Sequence, residues 1–378
     1  MKRITTIVAM ALLCLAPTVA FAQLSSYSQD FEGLDQTNPD ALNQDGWLIF
    51  ANVFNADGSY AYGYGVFPAP NGGNGFSAII PGPGDPNVGG PDQGEQQLSI
   101  YSDYNNADHG IGRVIEANVF QEQVVGAADV GTRWTFSFDA TRGNIEGATT
   151  ARAWFKTLDP NAGFALTNFI WVDMTDVPTT WDRYSVSIDI DAGLVGQILQ
   201  FGFLNNATNY EGSAVYYDNI EFARAVSVDI KPGACPNPVN RWTKGVLPVA
   251  VLGTDDLDVY DLDPASLNLN GGHAVRWSYE DVATPFGGDL CGCTEQEGDG
   301  YMDLVLYIPV PNIVDAMGYP QCGDQQMSLG GSLVDGTLVR GADCIEWRGG
   351  CKQAPGGPKL EATVGGSTSG SGTSLSLK

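Results

Sequence analysis

"RWTFSFDA", Arg133 to Ala140, sets Trp134, Phe136 and Phe138 at alternate positions with polar residues between them. Successive side chains of an extended chain point to opposite faces, so this stretch has one aromatic face and one wet face. It predicts a half-buried β-strand. "DRYSVSIDI" (Asp182–Ile190) repeats the pattern with Tyr184, Val186, Ile188 and Ile190, and "LQFGFLN" (Leu199–Asn205) repeats it with Leu199, Phe201 and Phe203. Loops rich in Gly, Pro, Asn and Asp lie between these stretches, the longest being residues 67–96, too long and glycine-rich for core. Many short strands separated by turn signals predict an all-β sandwich or barrel.

The chain holds 48 Gly and 21 Pro and carries a formal charge of −26, from 44 acids against 18 bases. Nucleic acid and anionic membranes carry phosphate charge that needs Lys and Arg, so both are excluded as partners, whereas divalent cations suit such a surface. Lys2 and Arg3 precede an apolar run, Ile7–Leu15, and Ala20-Phe21-Ala22 supplies a small-x-small cleavage pattern. Residues 1–22 therefore read as an export signal cleaved near Ala22, leaving a secreted, extracellular or periplasmic chain that begins at Gln23. That run falls short of the ~20 residues a membrane span needs, so no membrane insertion is expected. What remains is long enough for two domains of ~100–200 residues each.

Of seven cysteines, Cys14 leaves with the signal. Cys235, Cys291, Cys293, Cys322, Cys344 and Cys351 remain, all in the last third, and an even set in an exported chain reads as disulfides. Six allow fifteen pairings, and spacing does not choose among them. Zinc is the competing reading of Cys291-Gly-Cys293, weakened by the lack of any Cys-x2-Cys pair.

The ends of the first unit sharpen the fold. "YSQDFEGL" (Tyr27–Leu34) opens it and "AVYYDNIEF" (Ala214–Phe222) closes it. Here residues 23–224 resemble the jelly-roll carbohydrate-binding modules of secreted bacterial glycosidases, related to the galactose-binding-like fold. The resemblance implies a sugar-binding jelly-roll sandwich with a structural ion shared between its first and last strands, here Asp30 or Glu32 with Asp218. Ordinary strand-end acids are the plainer reading of the same residues.

Residues 225–350 carry "VSVDIKPGACPNPVN" (Val226–Asn240), "KGVLPVAVLGT" (Lys244–Thr254) and "EGDGYMDLVLYI" (Glu297–Ile308). In that order these are similar to a small β module found toward the C-terminal ends of secreted bacterial proteins, one with no established activity. The expected fold class is thus all-β: a jelly-roll sandwich followed by a smaller disulfide-bonded β domain. Residues 351–378, Gly/Ser-rich and nearly free of large apolar side chains, read as a flexible tail without an LPxTG-type anchor.

"EQEGDGYMD", Glu295 to Asp303, has the spacing of a calcium loop. Glu295, Glu297, Asp299 and Asp303 supply hard oxygen ligands, Tyr301 a backbone carbonyl, and Gly300 the sharp turn. The two Glu stand where shorter Asp or Asn is usual. Leu306 occupies the twelfth position and a strand follows, so this is not an EF-hand. An acidic β-turn in an acidic chain is the alternative. Calcium is the cofactor expected, and its role is structural.

Two histidines, His109 and His273, and no G-x-S-x-G elbow leave little room for nucleophilic catalysis. Carboxylate pairs remain, with Glu116, Glu122, Glu146 and Glu211 as candidates for a hydrolase or lyase. Binding fits the residues better. "GSYAYGYGVF" places Tyr60, Tyr62 and Tyr64 on one side of an alternating strand, an exposed platform for sugar rings. Trp47, Trp154, Trp171 and Trp181 are further large rings, with Trp134 and Trp171 expected in the core. Asn105, Asn106 and His109 in "SDYNNADHG" supply polar contacts, or simply cap turns. The function expected is non-catalytic binding of an extracellular polysaccharide or cell-surface polymer. A structural or adhesive matrix protein is the alternative, and the sequence sets no oligomeric state.

Overall fold

The computed structural model describes residues 23–82, 93–287, 290–291 and 297–350. The expected export signal, the tail, Glu295, Cys293 and Cys351 lie outside them. The chain is built almost wholly of strands. In order these are β1 (Tyr27–Gln29), β2 (Leu48–Phe54), β3 (Tyr60–Pro68), β4 (Ser77–Pro81), β5 (Gln96–Ile100), β6 (Val114–Val124), β7 (Arg133–Arg142), β8 (Thr150–Asp159), β9 (Ala165–Asp173), β10 (Asp182–Asp189), β11 (Ile198–Ala207) and β12 (Val215–Ala225). The second unit adds β13 (Val228–Ile230), β14 (Pro238–Asn240), β15 (Val246–Val251), β16 (Asn268–Leu269), β17 (Gly272–His273), β18 (Arg276–Glu280), β19 (Asp303–Pro309), β20 (Gly323–Ser332) and β21 (Leu338–Arg348). No helix is long and apolar enough to cross a membrane among the described residues.

The first unit is a sandwich. One sheet runs β3-β2-β6-β11-β8-β9, and facing it lie β10, β7 and β12, with β1, β5 and β4 beyond. Alternation explains the core between them. Trp134, Phe136 and Phe138 of β7, Phe201 and Phe203 of β11, and Tyr217 and Phe222 of β12 are all buried in one cluster. Phe201 stacks on Phe222 at 4.4 Å and Phe203 on Tyr217 at 3.7 Å between ring centroids. Each such ring contributes ~1.5–3 kcal/mol by leaving water.

One edge of β12 pairs along its length with β7. The other edge is tiled in succession by β5 at Val215–Tyr217, β1 at Ile220–Phe222 and β21 at Arg224–Ala225. The last of these pairings is parallel and comes from the second unit. A single sheet therefore runs from the sandwich into the module through β21, β20, β16 and β17. The module adds a four-stranded sheet, β13-β15-β19-β18, over its own core of Val249, Leu306, Ile308, Leu329 and Trp347. A short helix, Val310–Ala316, follows β19; the sequence reading ended there with a strand.

The long loop expected over residues 67–96 is partly ordered as sheet. β3 extends through Pro68, and β4 and β5 pair from Ser77↔Ile100 to Pro81↔Gln96. Their backbone amides find partners in the sheet, which composition alone hides.

Candidate functional site

The six-stranded sheet has one face in the sandwich core and an outer face that mixes aromatic and polar side chains. Along β8, Ala151, Ala153 and Phe155 enter the sandwich core, while Trp154 and Lys156 point to the outside. The register sets two cross-strand rows on that outer face. Leu48, Phe120, Gly202, Trp154 and Trp171 form one; Glu122, Gln200, Lys156 and Phe169 form the next. Gly202 matters here because it lies between Phe120 and Trp154 and has no side chain. An added Cβ would meet the Val119 carbonyl at 2.2 Å and Phe120 Cα at 2.6 Å, so the strands close over it and the two rings come to 5.9 Å.

Polar groups join across the same face. Asn52 and Asn118 both donate to Glu116 Oε1, at 2.9 and 3.1 Å, and Lys156 Nζ donates to Asn118 Oδ1 at 2.7 Å. Lys156 also lies 4.3 Å from the Trp154 ring centroid and 4.9 Å from that of Phe169. Burial pushes its ammonium pKa down, while the Glu116 carboxylate, 3.8 Å away, pushes it back up. Gln200 donates to Glu122 at 2.9 Å. Arg152 lies over Trp171 at 4.1 Å, and the buried Trp154 Nε1 has no hydrogen-bond partner. Rings flanked by amides, carboxylates and cations can stack on an apolar ligand face and bond its hydroxyls.

Sequence reasoning missed this face because alternation assigns one side of each strand to the core and leaves the other unread. It also expected Trp171 to be buried. Trp171 is 42% exposed, because β9 is the edge strand and no further strand pairs with it among the described residues. Trp134 is buried as expected; Trp47 and Trp154 are buried too, and Trp181 is half-buried.

The tyrosines of β3 do not form one platform. A register shift between Val53 and Phe54 turns Tyr60 to the outer face, where it meets Phe54 at 6.0 Å. Tyr62 and Tyr64 stay on the other face, 6.1 Å apart, at the sandwich rim. There Tyr62 donates to Asp108 at 2.8 Å, Tyr64 donates to Asp103 at 2.7 Å, and Asn106 donates to both hydroxyls at 3.2 Å. Tyr62, Tyr64 and Asn106 are thus brought together, with Asn105 exposed beside them. His109 is removed from the surface. It is fully buried, stacked at 5.5 Å on Tyr104 and 5.0 Å from Tyr210, and burial pushes its pKa below 6.5. A short 3-10 turn, Ala107–Ile111, folds the ring inward.

The carboxylate candidates fall into two pairs, one apart and one on facing loops. Glu116 and Glu122 lie on one strand six residues apart, roughly 20 Å at the β rise, beyond the ~5–9.5 Å of a glycosidase pair. Glu146 and Glu211 sit on facing loops and accept backbone amides, from Gly212 at 3.4 Å and Ala148 at 3.1 Å.

Asp218 of β12 is 1% exposed, and its Oδ2 has no hydrogen-bond partner among the described residues. Burial, with Asp139, Glu32 and Asp30 nearby, pushes its pKa up to about 8. Asp139 is partly satisfied, by Gln93 at 2.7 Å and Arg183 at 3.1 Å, and Glu32 accepts the amides of Glu95 and Gln96. An uncompensated buried carboxylate among like charges fits a hard divalent cation.

At the acidic turn, Asp303 is fully buried and accepts the amides of Gly253, Val282 and Ala283 at 3.0, 2.8 and 3.2 Å. Asp299 accepts the amide of Tyr301, and Asp281, which the sequence reading passed over, accepts those of Asp299 and Gly300. Glu297 and Tyr301 are exposed. Among the described residues no three His, Cys, Asp or Glu side chains close on a common point, here or at Asp218. Of the fifteen pairings one bond is resolved, Cys291–Cys344, with Cα atoms 4.9 Å apart; Cys235 and Cys322 are also disulfide-bonded.

No protein-family model and no curated protein match the chain. Among solved structures, it is similar to the enzymatically active domain of tailspike protein 4 of bacteriophage CBA120, at 13% identity and TM-score 0.30, covering 50% of this chain and 21% of that one. It thus spans about a fifth of that tailspike's length. It is similar to an apo cyclase from Fischerella sp. (17% identity, TM-score 0.32, covering 52% of this chain and 96% of that one). It is also similar to the CBM22-2 xylan-binding domain of Xyn10C from Paenibacillus barcinonensis (13% identity, TM-score 0.30, covering 52% and 96%).

Proposed function

We propose that the protein is a secreted, non-catalytic binder of an extracellular carbohydrate polymer, and that the polymer lies on the outer face of the six-stranded sheet. One observation carries this: exposed Trp171 and half-buried Phe169 flank a bonded row of Lys156, Asn118, Glu116 and Asn52 on a single face. Sugar rings offer apolar C–H faces to such rings, and their hydroxyls both donate and accept. Amides and a carboxylate beside an ammonium answer both needs. The site relocates the expected platform from Tyr62 and Tyr64, whose hydroxyls are already occupied by Asp108, Asp103 and Asn106.

Calcium belongs to the same reading as a structural ion. Asp218, Asp30 and Glu32 would hold it, with Asp139 beside them, and its charge would tie β1 to β12. The partly bonded Asp299 and Asp303 give the acidic turn a weaker claim to a second ion.

The test is a pull-down on a panel of insoluble polysaccharides with the full chain. Trp171→Ala, an edge-strand change, should lose retention while keeping the parent melting temperature, and Tyr62→Ala should keep both. Equal retention of parent and Trp171→Ala on every polysaccharide retained would overturn the reading. An adhesive protein contact is the second reading, favoured by β9, an edge strand whose Leu166 and Ile170 are 53% and 37% exposed, next to Phe164 at 59%. Concentration-dependent self-association in sedimentation velocity would support it.

A further inference from the structure

A cavity of about 420 Å³ lies beside the Cys291–Cys344 disulfide, between the C-terminal module and Arg133 and Ser187 of the sandwich, and its lining includes neither Asp218 nor a residue of the six-stranded sheet's outer face. Asp229, Asn237 and Asp343 line it. β13 and β21 bring the two acids together, since Ile230, the residue after Asp229, donates its amide to Asp343 Oδ2 at 2.7 Å. Asp343 also accepts from the Cys344 amide at 2.7 Å and from Asn237 Nδ2 at 3.1 Å. The Asp229 carboxylate receives no hydrogen bond among the described residues.

The second observation is Asn237, which is 7% exposed. Its Nδ2 is fixed by two acceptors, Asp343 Oδ2 and the Cys344 carbonyl, the latter at 2.9 Å. That orientation assigns the other amide atom as oxygen. Asn237 Oδ1 is buried and has no partner among the described residues. A buried acceptor without a donor keeps its full desolvation cost, and two neighbouring carboxylates add repulsion. Among the described residues Arg133 is the one basic side chain lining the cavity, and it faces Asp189 at 3.5 Å. Two acceptors without a donor among the described residues, the Asp229 carboxylate and Asn237 Oδ1, thus line the cavity beside the bonded Asp343 carboxylate.

We propose that Asp229, Asp343 and the Asn237 side-chain oxygen hold a divalent cation of the calcium class in this cavity, distinct from any ion at Asp218 or at the 295–303 turn. Asp303 of that turn lies near enough to add its negative charge at Asp229. Calcium takes 6–8 oxygen ligands from carboxylates, carboxamides, carbonyls and water, and the cavity has room for the waters that would complete the shell.

The test counts calcium on the full chain by equilibrium dialysis and elemental analysis, with calcium chloride as the only ligand. Asp229→Asn is the informative variant, because Asp229 accepts no hydrogen bond that folding would lose. It should bind one calcium fewer than the parent, Asp218→Asn should lose a different one, and the double variant should lose both. In chelator, Asp229→Asn should melt no lower than the parent, since a repulsion has gone; in calcium it should melt lower. An unchanged calcium count in Asp229→Asn, or a parent that binds no calcium, would overturn the proposal. Polysaccharide retention should be the same in both proteins, so this result is separate from the fate of the binding face.

Discussion

Arg340 of β21 donates through Nε to Glu221 of β12 at 2.9 Å, and a second guanidinium nitrogen donates to the other carboxylate oxygen. This fork crosses the boundary between sandwich and module, beside the parallel pairing of Arg224 and Ala225 with Val339 and Arg340. Arg183 donates to the same Glu221 at 2.7 Å, so one carboxylate serves two arginines. They lie in an open groove of about 910 Å³ along that junction.

Glu221→Ala should therefore strand the Arg340 guanidinium and leave Arg183 with Asp139 as its acidic partner. Both arginines are partly in water, so the loss should be modest, about 1 kcal/mol. Its larger effect should be on coupling between the units. Calorimetry should show the two units melting further apart in the variant than in the parent.

Gly202→Ala tests how the proposed binding face is built. The new methyl would strike the Val119 carbonyl and the Phe120 backbone, forcing β11 away from β6. Overpacking of this kind costs ~1–3 kcal/mol. Chemical denaturation should show that loss, and polysaccharide retention should fall with it because Phe120 and Trp154 no longer close over the gap.

Asp218 sets a pH dependence with a definite sign. Its folded-state pKa of about 8 stands above the ordinary 3.8, so the folded chain holds this proton more tightly than the unfolded one. Without metal, this group's contribution is fully present below 3.8 and is lost as pH rises through about 8. In chelator, the parent should thus lose more stability than Asp218→Asn over that window. Calcium needs the ionised carboxylate, so added calcium should stabilise the parent increasingly as pH rises. Thermal melts at stepped pH, with and without calcium, check both.

His109 gives the opposite slope. Burial holds its pKa below 6.5, so the unfolded chain takes up the proton first. Its contribution is present above 6.5 and is lost as pH falls toward the folded value. His109→Phe keeps a ring against Tyr104 and Tyr210 but cannot titrate. Between about pH 7 and 5, the parent should lose stability relative to this variant in parallel melts.

What the chain determined locally is the β structure and its buried side. Trp134, Phe136, Phe138, Phe201 and Phe203 announce their strands because side-chain direction alternates with a period of two, a property of neighbours in sequence. The paired carboxylate regions also follow from short motifs, since "YSQDFEGL" and "YYDNIE" become β1 and β12 side by side. Tertiary structure decided where the working face lies. Lys156 meets Asn118, and Asn52 meets Glu116, only because β8, β11, β6 and β2 pair in one register, and no local pattern encodes a register between distant strands. It also decided that one shifted residue at Val53 and Phe54 would part Tyr60 from Tyr62, and that a turn would bury His109. Alternation says which side chains share a side of one strand; pairing, bulges and edges decide which sides meet solvent together.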